Sequence, residues 1–281
     1  MSVFDPAIVE LLGCPSFWGP HSFLAYLRDR DLSSNRKTAE LISVNSLETL
    51  DPSLILANTM VLRLGQSETK GTQFGLVRTD NDLKSFFLVD QEIFGGIVGR
   101  TFVPTASPYA LSPFHLLSAL SETALVNLAF ASGVIRRALS LEDDETTTIA
   151  TGAINSTFNV RPYSKLAVEA THKNGQVQID AMFMALQEGR HKLFIVEAKS
   201  GGSKSLAKHK LVYPILALAN RIRHDIEIVP VYLRINRTAS GYQFLIAEGL
   251  FPDPRISVAG IDELFVVNAH DFTIPFSVFQ A

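Results

Sequence analysis

Leu193-Phe194-Ile195-Val196-Glu197-Ala198-Lys199 sets two ionisable groups at the end of four consecutive apolar residues, two of them β-branched. A run of this kind reads as a strand buried inside a sheet. Burying a carboxylate and an ammonium is costly unless each has a partner or a metal. Glu197 and Lys199 are therefore expected to form part of an active site. The alternative is a strand end whose charges reach solvent.

Around this strand the pattern gives an order of elements. A helix is predicted from Ser112-Pro113, with Pro at its first position, and Leu117, Leu120, Ala124, Leu128, Ala131, Ile135 and Ala138 recur at helical spacing. The acidic run Glu142-Asp143-Asp144-Glu145 that follows reads as a solvated loop. Strands are predicted at residues 165–172, 176–186 and 192–199. After Gly201-Gly202 a helix is expected with Ser203 as its N-cap, running toward Arg221 and disturbed at Pro214, then a buried strand at 226–233. The order is helix, three-strand antiparallel meander, helix, strand, a mixed central sheet flanked by helices in an α/β fold. Residues 1–105 read as a separate α+β region for DNA recognition or dimerisation, linked through the proline-containing stretch 103–113 to a domain spanning 106–281.

Turn chemistry fixes a register. Asn174-Gly175 favours a two-residue type I′ hairpin, which places Glu169 opposite Asp180. Glu188-Gly189 closes the next hairpin and places Asp180 opposite Glu197. Three carboxylates in a row, with opposed Cβ atoms about 5 Å apart, repel one another unless a cation joins them. A hard, oxygen-seeking ion such as Mg²⁺ resolves the conflict. Lys199 lies two residues from Glu197 and so shares its face, where it could orient or help deprotonate a water and stabilise charge on a phosphate under attack. The expected helix N-terminus at Ser203, with Lys204, Lys208 and Lys210, would hold phosphates nearby. These parts together make a phosphodiester hydrolase.

The chain has 281 residues, 47% of them hydrophobic, ample for a packed core. It carries one cysteine, Cys14, and has no apolar run near the roughly 18 to 20 residues of a membrane span. A cytoplasmic setting without membrane attachment is expected. The formal net charge of −3 argues against a generic nucleic-acid coat. Residues 190–224, however, hold eight Lys and Arg against Glu197 alone, a local excess of +7 (8 − 1).

Asp180, sixteen intervening residues, and then Glu197-Ala198-Lys199, set in this order of elements, resemble the PD-(D/E)XK nuclease superfamily, most of all its type II restriction endonucleases. The resemblance covers residues 112 to about 235. It implies a restriction-endonuclease-like core in which Asp180 and Glu197 bind the metal, the Ala198 carbonyl is the backbone ligand and Lys199 is the catalytic lysine. The sequence departs from the pattern at Ile179, where some members have Pro, and at Lys208-His209-Lys210, where some have Gln. Many nucleases of this fold take a further acid from the first helix. Glu122 is the available one, yet it lies about 140° from the centre of the apolar stripe and is expected to point away from the sheet. A second E-x-K triplet, Glu68-Thr69-Lys70, sits in a polar stretch and reads as a surface loop. The activity implied is a Mg²⁺-dependent DNA endonuclease of restriction type, with Mn²⁺ as substitute, acting as a homodimer. The alternatives are a structure-specific repair or junction-resolving nuclease, and a catalytically inactive nuclease fold used for binding.

Overall fold

Residues 2–14, 16–32, 38–68, 71–142 and 148–279 are described by the structure, a computed structural model. Thr69 and Lys70 of the second E-x-K triplet, and residues 143–145 of the acidic run, lie outside the described residues. The chain opens with α1 (Asp5–Leu11), β1 (Phe17–Ser22), α2 (Phe23–Asp29), α3 (Thr38–Leu41), α4 (Pro52–Leu56), β2 (Thr59–Gln66), β3 (Thr72–Arg78), β4 (Phe87–Val89), α5 (Asp90–Phe94) and β5 (Arg100–Thr101). It continues with α6 (Pro108–Leu116), α7 (Glu122–Ala131), α8 (Val134–Ala138), β6 (Ala150–Val160), β7 (Ala170–Gln187), β8 (Arg190–Ser200), β9 (Ser205–Ala207), α9 (His209–Leu218), β10 (Glu227–Arg237), β11 (Gly241–Leu250) and β12 (Phe265–Pro275).

A mixed ten-stranded sheet runs β1-β3-β2-β7-β8-β10-β11-β12-β5, with β6 also paired to β7, and β4 and β9 form a small ribbon of their own. The unbroken apolar run of β8 follows from burial on both faces. Leu193 and Ile195 pack in one cluster with Leu211, Val212 and Ile215 of α9, whereas Phe194, Val196 and Ala198 pack in another with Leu125 and Leu128 of α7. After α9 the chain re-enters the sheet as β10, parallel to β8. This is a mixed α/β architecture with helices on both faces of the sheet.

The hairpin between β7 and β8 has the expected register, from Gln187↔Arg190 to Ala181↔Val196. Glu188 at φ 54° and Gly189 at φ 72° supply the two positive dihedrals that a type I′ turn demands. The predicted hairpin at Asn174-Gly175 does not form. β7 runs straight through it, and the first strand of the meander is β6 instead. Ser156 faces Gly175 and Phe158 faces His172, so Lys173 and Asn174 stand against Thr157 alone. Asn174, at φ 40°, donates its backbone N–H to Thr157 Oγ1 at 2.9 Å. The left-handed conformation that Asn favours is used in a β-bulge rather than a turn.

Three further expectations are corrected. The single helix predicted from 112 to 138 is three, because Ser107 caps a helix that already contains Pro113, and Gly133 at φ 83° separates α7 from α8. No helix begins at Ser203: Ser205–Ala207 pairs with Phe87–Val89, and α9 starts at His209. The Met182, Met184 and Leu186 side of β7, which shares the Asp180 face and reads in sequence as buried, has Met184 38% exposed, whereas Ala181, Phe183 and Ala185 on the opposite face are buried.

The boundary near residue 105 is crossed by the sheet itself. Gly65 of β2 pairs with Lys173 of β7, in parallel, so tightly that a Cβ on Gly65 would lie 2.2 Å from the Lys173 carbonyl oxygen. Gly65 sits at φ 82°, and a Cβ on Gly175 would in turn lie 2.6 Å from Gly65 Cα. Farther along, Asp90 receives Arg234 at 2.6 Å and the Tyr232 hydroxyl at 2.8 Å, tying α5 to β10.

Candidate active site

Asp180 owes its position to a second irregularity in β7. Ala150 faces Met182 and Gly152 faces Ile179, so Asp180 and Ala181 stand against Thr151 alone. A bulge of this kind locally re-aims a side chain. Asp180 Oδ2 accepts the Ala198 backbone N–H at 2.9 Å, just past the last β7–β8 pair. Glu197 and Lys199 then project on the same side of β8 as Leu193 and Ile195, the side covered by α9.

Glu122 completes the cluster, contrary to the sequence expectation. It is the first residue of α7, whose Ser121 N-cap accepts the Ala124 N–H at 3.2 Å. Helix phase counted from residue 112 does not carry through to it, since a separate helix starts here. Its Oε2 accepts the Ser200 N–H at 3.0 Å and its Oε1 lies 3.9 Å from Lys199 Nζ. That ammonium is the hub of the site. It lies 2.8 Å from Glu197 Oε1, 2.7 Å from the Ala198 carbonyl oxygen and 3.9 Å from Asp180 Oδ2.

Burial pushes the Glu197 carboxyl up to about 7, even with Lys199 pulling it down. Burial alone would depress the Lys199 ammonium, but the surrounding carboxylates, Glu197 first and then Glu122 and Asp180, together more than offset this and its pKa is raised. Lys199 is therefore a firm cation at neutral pH.

The cluster borders a cleft of about 610 Å³ and a second cavity of about 420 Å³ on the β6 side, and both are lined by Glu122, Gln176, Gln178 and Asp180. Lys210 lines the larger cleft, its ammonium depressed by burial, and Ser203 lines it too, its Oγ accepting from Arg234 Nη2 at 3.2 Å. The remaining predicted residues are elsewhere. Glu169 precedes β7 and faces Arg161 at 4.0 Å, because the hairpin that would have aligned it is absent. Lys208 is turned inward, donating to the Asp262 carbonyl oxygen at 2.8 Å, with burial pulling it down to about 8. Lys204 is exposed, and its backbone N–H is held by Glu48 at 3.2 Å. The local excess of positive charge does not form a single surface: Lys192 meets Glu188 and Glu227, and Arg223 meets Asp225.

Two parts of the cleft escaped the sequence reading. Ser43, Asn45, Ser46, Thr49 and Arg63, all from the first hundred residues, line its wall. A signal for Arg63 was present, since Met60-Val61-Leu62-Arg63-Leu64 is also an apolar strand interrupted by one charge.

Asp180, Glu197, Glu122 and the Ala198 carbonyl form an all-oxygen donor set, the chemistry that hard divalent ions select. Among the described residues no three His, Cys, Asp or Glu side chains are gathered at metal-ligand spacing. The carboxylates converge on the Lys199 ammonium, a cation already seated among them. No helix among the described residues is long and apolar enough to cross a membrane.

Residues 101–256, more than half of the chain, match a protein family described as Domain of unknown function (DUF6997). No curated protein and no solved structure matches the chain.

Proposed function

The chain belongs to the DUF6997 family, and we propose that it is a Mg²⁺-dependent phosphodiester hydrolase acting on DNA, with a restriction-endonuclease-like core. The observation that carries this reading is the convergence of Asp180, Glu197, Glu122 and the Ala198 carbonyl on Lys199 at the edge of the cleft. The order α7, β6–β8 meander, α9, β10 supports it, as does the bulge that aims Asp180.

Asp180, Glu197 and the Ala198 carbonyl would hold the metal. When bound, Mg²⁺ supplies charge neutralisation at the phosphate and an acidified water. Lys199, kept protonated by Glu197, donates hydrogen bonds to the phosphate oxygens on which charge accumulates. Glu122 positions that ammonium from the opposite side while holding the Ser200 N–H. Cutting both strands of a duplex would take two such sites, which a two-fold homodimer provides.

The test is incubation of the wild type and Asp180→Asn with plasmid DNA in Mg²⁺, in Mn²⁺ and in chelator. Metal-dependent cleavage by the wild type, reduced about a hundredfold or more in the variant, is expected. Discrete fragments would indicate a restriction-type enzyme, whereas preference for branched over linear DNA would indicate a repair or junction-resolving one. An intact plasmid in every condition, or equal cleavage by both proteins, would overturn the proposal.

A further inference from the structure

Arg63 has no place in the chemistry described so far. It is the single charge in the apolar strand β2, half-buried, and it lines the same cleft as Glu197 and Lys199. Tyr213 packs against it from α9, donating its hydroxyl to the Arg63 backbone oxygen at 3.1 Å. Neither the Arg63 guanidinium nor the Lys210 ammonium has a hydrogen-bond or ion-pair partner among the described residues. Arg63 acts electrostatically on Lys210, His172 and Tyr213 around it. A third group points the same way. His209 is almost fully buried beside the cleft, burial pulls its pKa down to about 3, and its Nδ1 has no hydrogen-bond partner.

Two cations without a hydrogen-bond or ion-pair partner and an unsatisfied neutral imidazole, all lining one cleft, make a site for an anion with several acceptor oxygens. Glu122, Asp180 and Glu197 line the same cleft, where Glu197 and Asp180 act electrostatically on Lys210. A guanidinium offers a planar, bidentate fork suited to phosphate. We infer that Arg63, from the N-terminal strand β2, is a substrate-positioning residue that grips a phosphodiester neighbouring the one that is cut. The ligand class is thus a polynucleotide with at least two consecutive phosphodiesters, and the N-terminal region becomes part of the substrate cleft. This inference rests on the hydrolase reading of the adjacent acids.

The test is fluorescence anisotropy with a labelled DNA duplex and with its isolated strand, in chelator so that neither is cut, across a salt series. Wild type, Arg63→Gln, Arg63→Lys and Arg28→Gln are compared, Arg28 being an exposed cation outside the cleft. Arg63→Gln is expected to weaken binding about tenfold or more and to lower the salt-dependence slope by about one. Arg63→Lys should recover part of the affinity and the slope, and Arg28→Gln should match the wild type. The inference is overturned if Arg63→Gln and wild type superimpose, if Arg28→Gln shows the same loss, or if the wild type binds neither probe. A wild type that binds with an Arg63-dependent slope yet cuts nothing would refute hydrolysis and leave the phosphate site standing. Cleavage at an undiminished kcat/KM in Arg63→Gln would do the reverse.

Discussion

Replacing Lys199 by Met keeps most of the packed methylene stem and removes only the charge. In the wild type that charge lies 2.8 Å from Glu197 and 3.9 Å from both Asp180 and Glu122. Breaking a buried ion pair by deleting one partner typically costs about 3–5 kcal/mol. Glu197 is 5% exposed, so little of this is relieved by water. It is relieved by protonation. The Glu197 carboxyl already titrates near about 7 with Lys199 in place, above the ordinary 4.5, and without the ammonium it moves higher. A carboxyl whose folded pKa exceeds its unfolded value binds more protons when folded. Stability therefore falls as pH rises from 4.5 through the folded pKa. The penalty for Lys199→Met should approach about 3–5 kcal/mol near about pH 8.5 and shrink to about 1 kcal/mol near about pH 6. In a chain of this size the larger figure lowers Tm by roughly 6–20 °C. Thermal unfolding of both proteins at the two pH values, with and without Mg²⁺, measures this. Added Mg²⁺ should restore more stability to the variant than to the wild type, because only the variant leaves the oxygens without a cation. A penalty independent of pH, or below about 1 kcal/mol at the higher pH, would refute the reasoning.

Two predictions concern the scaffold. Gly65→Ala and Gly189→Ala both impose a side chain at positive φ, 82° and 72°, but only the Gly65 Cβ collides with backbone, whereas Gly189 has open space around it. Urea titration should show a cost of about 1 kcal/mol for Gly189→Ala, with Gly65→Ala worse by about 2 kcal/mol or more; equal costs would remove the tight β2–β7 contact from the account. His172, stacked 4.5 Å from Phe158, has its pKa pulled by burial from 6.5 to about 4. The unfolded chain then binds the extra proton, so stability present above pH 6.5 is lost as pH falls toward 4, by up to about 3 kcal/mol. His172→Phe should flatten that acid limb in a series of unfolding curves, and an unchanged limb would contradict it.

The sequence was most readable where local chemistry and burial agree. The apolar run ending in Glu197-Ala198-Lys199 reads as a buried strand and Glu188-Gly189 as a two-residue turn, so the register of β7 against β8 followed from counting. Asn174-Gly175 failed because positive φ at Asn serves a bulge as well as a turn, and only β6, a strand far upstream, decides between them. The Asp180 bulge was hidden for the same reason. Glu122 was misjudged because a helix phase extrapolated through residues 117–121 assumes that no break lies there. Lys208 looked like a phosphate ligand in one dimension, and its true partner, the Asp262 carbonyl, is 54 residues away.

The sheet that carries the acids also decides what can be cut away. The segment matching the family, 101–256, includes β6 through β11 but leaves out β2, which joins β7, and β12, which flanks β11. Released alone, it would present unpaired strand edges on both flanks, a template for intermolecular pairing. It would also strip the Arg234 guanidinium of its Asp90 carboxylate. The family segment thus depends on its flanks for a sheet neighbour and an ion pair, and an exchange of the N-terminal region would have to re-form a sheet seam and not merely a hinge.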